Sequence, residues 1–287
     1  MSGENNAMRI PESCAKCLYD RQCKRCGDEA YLAEVRSLLD SRSANDTSPL
    51  LIYRFNQAYI RRFGALDSYT DIKRRYNDLM LSMEAELRTR IEAAPDSLAA
   101  ALAYARVGNY IDYGAMDTVD ESAFIRLFDG AALREEEAET YKRFLESCAR
   151  GKRFLLIADN CGEIVLDRLF LEQLHTRFPF LKLQVLVRGG EVLNDVTAED
   201  AIYVGIDRVA EILFNGAAIA GTVYEMMPPD ARLALDGADI ILAKGQGNYE
   251  SLLGEGRYIF CVFLCKCELF TSRFGVPQFT GMLVEEH

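Results

Sequence analysis

FLLIADNCGEIVLDRLFLEQLHTRFPFLKLQVLVRGG, running from Phe154 to Gly190, is the stretch whose reading decides the fold. Two continuous apolar runs, Phe154–Ala158 and Leu183–Val187, flank a segment in which Leu169, Phe170, Leu174 and Phe178 recur at helical spacing. A strand that is apolar at every position is covered on both faces, and strands joined by single helices run parallel. The same rhythm continues through VAEILF (Val209–Phe214), DIILA (Asp239–Ala243) and YIFCVFL (Tyr258–Leu264). An α/β fold with a parallel sheet between helical layers is therefore expected from Gly151 onward. Right-handed crossovers gather the C-terminal ends of such strands on one edge, where ligands bind.

Upstream the pattern is helical. In Tyr69–Ala93 the apolar positions Ile72, Tyr76, Leu79, Met80, Met83, Leu87 and Ile91 step by three and four, one stripe of a long helix. Ser97–Val107 is rich in Ala and Leu, and Glu121–Cys148 predicts one or two more helices, with a polar break at Asn45–Pro49. The division predicted is a helical N-terminal domain over residues 1–150, lying as a cap over the site, and an α/β domain over 151–287.

Composition narrows the chemistry. The 287 residues carry 33 basic and 44 acidic side chains, a net charge of −11, which weighs against a general binder of nucleic-acid phosphates. No apolar run approaches the ~20 residues that span a bilayer, and MSGENNAMRI lacks a hydrophobic leader core, so a cytoplasmic protein without membrane partners is expected. Only two histidines are present, His175 inside an amphipathic helix pattern and His287 at the end, so a His-based triad or His-rich zinc site is improbable. The nine cysteines suit reduced thiols or metal ligands rather than a secreted disulfide framework. Cys14-x-x-Cys17 and Cys23-x-x-Cys26 stand five residues apart, short for two zinc knuckles.

The segments after the strands are polar and glycine-rich. They read Asp159-Asn160-Cys161-Gly162-Glu163, then Arg188-Gly-Gly-Glu-Val-Leu-Asn194-Asp195 with a capping box from Thr197, then Asn215-Gly216 and Gly221-Thr222, then Lys244-Gly245-Gln246-Gly247-Asn248. Asp159, Asn160 and Asp195 offer only hard oxygen donors, a set suited to Mg²⁺ or Mn²⁺. Backbone N–H groups of Gly-rich turns and the Lys244 ammonium can hold phosphoryl oxygens. Asp-Asn pairs also make turns and helix caps without any ligand. Acidic pairs after two neighbouring strands, with a Lys-Gly turn after a later one, favour a metal and phosphate site.

With these residues in hand, ADNCGEIVLD, RGGEVLNDVTAEDA and LAKGQGNYESL closely resemble the metal-dependent damage-control phosphatases, the family once called domain of unknown function 89 and also acidic-residue-methyltransferase-like. Leu66–Asn77 is similar to the family's Asp-Pro-Tyr motif with Ser68 in place of proline, and Asp96–Gly114 to its Gly-Asn-x-x-Asp segment. SCAKCLYDRQ and LCKCELF resemble the branch with an N-terminal CxxC and a C-terminal Lys-Cys. The resemblance implies a helical portion packed on a Rossmann-like three-layer α/β/α domain, and metal-dependent hydrolysis of phosphate monoesters of small, in part damaged, metabolites. It implies Asp159, Asn160 and Asp195 as ligands of a divalent metal (Mn²⁺, Mg²⁺, Co²⁺ or Ni²⁺). Asp159, Asp195, Glu163 and Lys244 become the expected catalytic set. Asn77, Asn109, Asp112, Lys244, Gly245 and Asn248 are expected to contact the substrate. A structural association of Cys14 and Cys17 with Cys267 is implied as well, beside the alternatives of free thiols or a Cys₄ site.

The attacking group is a water activated by the metal or the Asp159 carboxylate; water is favoured, because a carboxylate committed to a metal is a poorer nucleophile. Glu163 reads as a base or, more safely, as a group ordering its neighbours. An S-adenosylmethionine-dependent carboxyl methyltransferase fits less well, since the first turn opens Asp-Asn instead of Gly-x-Gly and the second strand ends in Arg188. A metal-binding protein without catalysis is the third reading.

Overall fold

Alternation along the strands sorts the side chains into two cores. In the computed structural model, which describes residues 10–111 and 126–287, one sheet comprises β1 (Arg153–Ile157), β2 (Lys182–Val187), β3 (Glu211–Phe214), β4 (Ile240–Lys244), β5 (Ile259–Leu264) and β6 (Gly281–Glu286). The order is β3-β2-β1-β4-β5-β6; neighbours among β1–β5 pair in parallel, and β6 runs antiparallel to β5. Leu156 lies opposite Val185 on one side and Leu242 on the other. All three face one apolar core, whereas Leu155, Leu186 and Ile241 face the other. The result is the α/β, mostly parallel sheet that the strand patterns predict.

The helices are α1 (Glu12–Arg25), α2 (Glu29–Asp40), α3 (Ser48–Phe63), α4 (Thr70–Ala93), α5 (Ser97–Gly108), α6 (Ala138–Arg150), α7 (Glu163–Arg177), α8 (Ala198–Tyr203), α9 (Pro229–Gly237), α10 (Gly245–Leu252) and α11 (Glu268–Phe274). Met80 and Ile91 of α4, Leu102 of α5, Phe144 of α6 and Phe170 of α7 join the first core. Leu235 of α9, Tyr249 of α10 and Phe270 of α11 join the second. A separate small core, with Tyr31, Val35, Leu51 and Phe55, holds α1–α3 together. The boundary expected at residue 150 falls between α6 and β1, yet the first core crosses it without a break, from Tyr76 to Leu283.

Two local features place the site. α7 is buried at every position from Glu163 to Leu171, as an apolar-all-round helix must be, so its charged residues need partners inside the protein. α5 lies close against it: a Cβ on Gly108 would come within 2.8 Å of Leu166 Cδ1 and 2.9 Å of Glu163 Cα. The chain leaves β1 toward β2 and later returns to β4 on the other side of β1, so the β1 and β4 C-termini flank the switch point where open α/β sheets take ligands. Among the described residues no helix is long and apolar enough to cross a membrane.

Candidate active site

Asp159 follows β1 directly, and the backbone ties it to the segment after β2. Val196 N–H donates to Asp159 O (2.9 Å), Cys161 N–H to Asn194 O (2.8 Å), and Asn160 and Asp195 pair as an isolated antiparallel bridge. These bonds bring Asp159, Asn160 and Asp195 together at the strand ends, all at most 7% exposed. Between the two carboxylates lies the buried guanidinium of Arg188, with Nε donating to Asp195 Oδ2 (2.6 Å) and Nη2 to Asp159 Oδ1 (3.2 Å). Its Nη1 donates to Asn248 Oδ1 (2.9 Å) and Gly221 O (3.1 Å). One planar fork thus ties together the segments after four strands, β1 to β4.

The other Asp159 oxygen, Oδ2, accepts from the side-chain amides of Asn160 (2.8 Å) and Asn109 (2.9 Å). The same amides reach Glu163 Oε2, at 3.2 and 3.1 Å, and Asn109 Oδ1 accepts the Leu264 N–H (3.1 Å). Asn77 Oδ1 accepts the N–H of Gly162 (2.6 Å), whose φ of +82° turns the chain into α7. Asn248 holds the β4 turn by donating to Lys244 O (2.7 Å) and Ala158 O (3.1 Å). Gly245, at φ +78°, leaves the space beside Asp159: a Cβ there would fall 1.9 Å from Oδ2.

Lys244 departs from expectation. Its ammonium is fully buried and directed beneath the turn, donating to Glu163 Oε1 (2.5 Å), Asp167 Oδ1 (2.6 Å) and Ala105 O (3.0 Å). An ammonium has three protons, and all three are taken within the protein. In this arrangement it grips Glu163 instead of a phosphate, and the two carboxylates beside it hold its pKa above the usual lysine value against the opposing effect of burial. Burial pushes the Asp167 carboxyl up to about 7, opposed by Lys244 and reinforced by Glu163. Asp112 lies outside the described residues.

The sequence reading treats Arg188 only as the end of a strand, and it passes over Asp167. Arg188 stands in the strand-end run that supplies Asp195, which is the signal that could have found it. Nothing along the chain marks Asp167 apart from a charge in a helix that must be buried. Cys161 is buried, which raises its thiol well above the ordinary range and removes it as a nucleophile. All nine cysteines are free thiols. Burial, then Glu250, Cys267 and Cys17, push the Cys14 thiol up to about 12, so Cys14, Cys17 and Cys267 stand within electrostatic reach of one another. Among the described residues no group of three or more His, Cys, Asp or Glu forms a metal cage, so the Cys₄ alternative has no counterpart there.

Asp159, Asn160 and Asp195 are instead two carboxylates and an amide. An oxygen-only donor set fits a hard dication better than a soft metal that prefers thiolates.

Buried carboxylates gathered at the C-terminal rim of a parallel sheet mark an α/β protein with a charged site where such sheets take ligands. Residues 10–281 match the family model "Damage-control phosphatase ARMT1-like domain". A damage-control phosphatase of Archaeoglobus fulgidus is 29% identical over 284 residues, covering 94% of this chain and 96% of that one. A damage-control phosphatase of Pyrococcus horikoshii is 28% identical over 189 residues, 64% of this chain and 63% of that one. The crystal structure of a DUF89 family protein from Pyrococcus horikoshii superposes with a TM-score of 0.77 at 20% identity, covering 98% of this chain and all of that one, which shows a shared fold. The chain belongs to the ARMT1-like damage-control phosphatase family.

Proposed function

We propose that this protein is a divalent-metal-dependent phosphomonoesterase acting on small phosphometabolites, damaged forms included. The observation that carries the reading is the pair of buried carboxylates, Asp159 and Asp195, stitched together with Asn160 at the rim formed by the β1 and β2 C-termini. Asp159, Asn160 and Asp195 would hold the dication. When bound there, a dication would supply charge to offset the phosphoryl oxygens and would make a water more acidic.

The protein's own residues supply orientation. Arg188 sets the angle between the two carboxylates, and Asn109 and Asn160 fix the outer oxygen of Asp159. Glu163, clamped by Lys244, aligns both amides, so Lys244 and Glu163 act as positioning residues. The Cys161 and Gly162 N–H groups are taken by Asn194 and Asn77, so backbone N–H groups at the start of α10, from Gly245 onward, would meet the phosphoryl oxygens. Water is the nucleophile in this reading, because a carboxylate committed to a metal is a poorer nucleophile.

Release of inorganic phosphate from a panel of phosphometabolites, with Mn²⁺, Co²⁺, Ni²⁺ or Mg²⁺ added, tests the proposal. Asp159→Ala and Asp195→Ala should each abolish turnover and metal binding. Near wild-type turnover in either variant overturns the ligand set, and phosphate trapped on the protein with a slow substrate overturns the choice of water.

A further inference from the structure

A cavity of about 590 Å³, whose lining ends two residues short of Asp195 along the chain, is used by none of the steps above. It is walled by α1, α3 and the turn at Leu66–Tyr69, and its remaining wall is Glu191–Leu193, the three residues that lead into Asn194 and Asp195. That volume is in the range that takes a whole small molecule. The wall is also shaped at a cost: Leu193 sits at φ +47°, a left-handed conformation that L side chains avoid and that clusters at functional sites.

The lining is rich in donors. Arg21, Lys24 and Arg25 stand at i, i+3 and i+4 on one face of α1 and all line the cavity. Two buried amides join them with their acceptor ends occupied. Tyr31 O–H donates to Gln22 Oε1 (2.6 Å), and Arg25 Nη1 donates to Asn56 Oδ1 (3.0 Å). What each amide retains is its NH₂ end. Arg25 is further fixed by the Tyr59 ring, 3.9 Å from its guanidinium carbon. The carboxylates in the lining are Asp67 and Glu191; Asp67 lies 3.8 Å from Arg25, and Glu191 is held by Lys73 at 2.9 Å. In a chain of net charge −11, three cations and two oriented amides stand against two carboxylates in this lining, one of them bound by Lys73, which leaves the cavity wall cationic.

We infer that this cavity receives the non-reacting end of the substrate, and that this end carries a second oxyanion, a carboxylate or a second phosphate. The inference rests on the phosphatase reading and deepens it: the phosphoryl group lies at Asp159 and Asp195, and the opposite end of the molecule lies against α1.

Two matched pairs of substrates test it on the Mn²⁺-loaded full chain. 6-Phosphogluconate differs from sorbitol 6-phosphate by a distal carboxylate, and glucose 1,6-bisphosphate differs from glucose 6-phosphate by a second phosphate. Roughly a 10-fold preference in kcat/KM for the doubly anionic member of at least one pair is expected, the worth of a charged hydrogen bond. The pair that shows it identifies the distal group as carboxylate or phosphate. Arg21→Gln combined with Lys24→Gln should pull that preference to within about 2-fold. Lys24 is exposed, so Lys24→Gln alone keeps the fold and should lower the preference in the same direction. Turnover of all four compounds without preference, or a preference untouched by these variants, overturns the pocket assignment and leaves the phosphatase reading standing. Turnover of none overturns both.

Discussion

A methyl group on Gly245 would fall 1.9 Å from Asp159 Oδ2, and the residue's φ of +78° disfavours any side chain. Gly245→Ala must therefore push Asp159 or the β4 turn aside. A displacement of about 1 Å at a reacting geometry costs on the order of 100-fold, so kcat/KM should fall by at least that much while the variant still folds, as read by circular dichroism. Arg188 carries a different burden. Arg188→Ala would leave Asp159 and Asp195 buried and facing each other without their counter-ion, and breaking such a pair costs about 3–5 kcal/mol, visible as a lowered Tm. The two residues also show what a sequence can tell. That Asp159, Asn160 and Asp195 meet at one sheet edge was legible because each follows an apolar strand, and parallel strands gather their C-terminal ends on one rim. The inward turn of Lys244 was not, because the same residue after the same strand can point up to the rim or down to α7. Its direction is set by Glu163 and Asp167, both on α7 and far from Lys244 in sequence.

At the scale of elements, α7 joins the apolar core to the chemistry. It buries Glu163 and Asp167 four residues apart, on one helical face, with Lys244 of β4 as their shared cation. Asp167 Oδ2 has no hydrogen-bond partner, in keeping with a carboxyl that burial raises from 3.8 to about 7. A carboxyl raised on folding lends stability that is full below 3.8 and is lost as pH rises through about 7. Asp167→Asn should therefore match the wild type near about pH 4 and exceed its Tm near about pH 8, with a flatter profile between. Equal pH slopes for the two proteins would contradict this. The parallel strands announced themselves by continuous apolar runs, whereas β6 escaped notice. Its GMLVEE is short, ends in two glutamates and alternates only weakly, and its place is fixed by pairing with β5 from Ile259 to Leu264.

Over the whole molecule, the change of sequence rhythm at Gly151 marked where the strands begin and not where a core ends. α4–α6 share their apolar contacts with the sheet, and only α1–α3 keep a core of their own. Periodicity along one segment shows which face is apolar but not what covers it, which is why this division was hidden. Native-state hydrogen exchange should show α1–α3 opening at lower free energy than α5 and α7. Simultaneous exchange of all of them would contradict it.

The Asn109 carboxamide binds the end of α5 to β5 through Leu264 and to the acidic rim through Asp159 and Glu163. A roof pinned at that point cannot swing without pulling Asp159 and Glu163 out of line. Under the proposed function, any motion that admits a substrate would fall instead to α1–α3, whose apolar core is separate from that of α5.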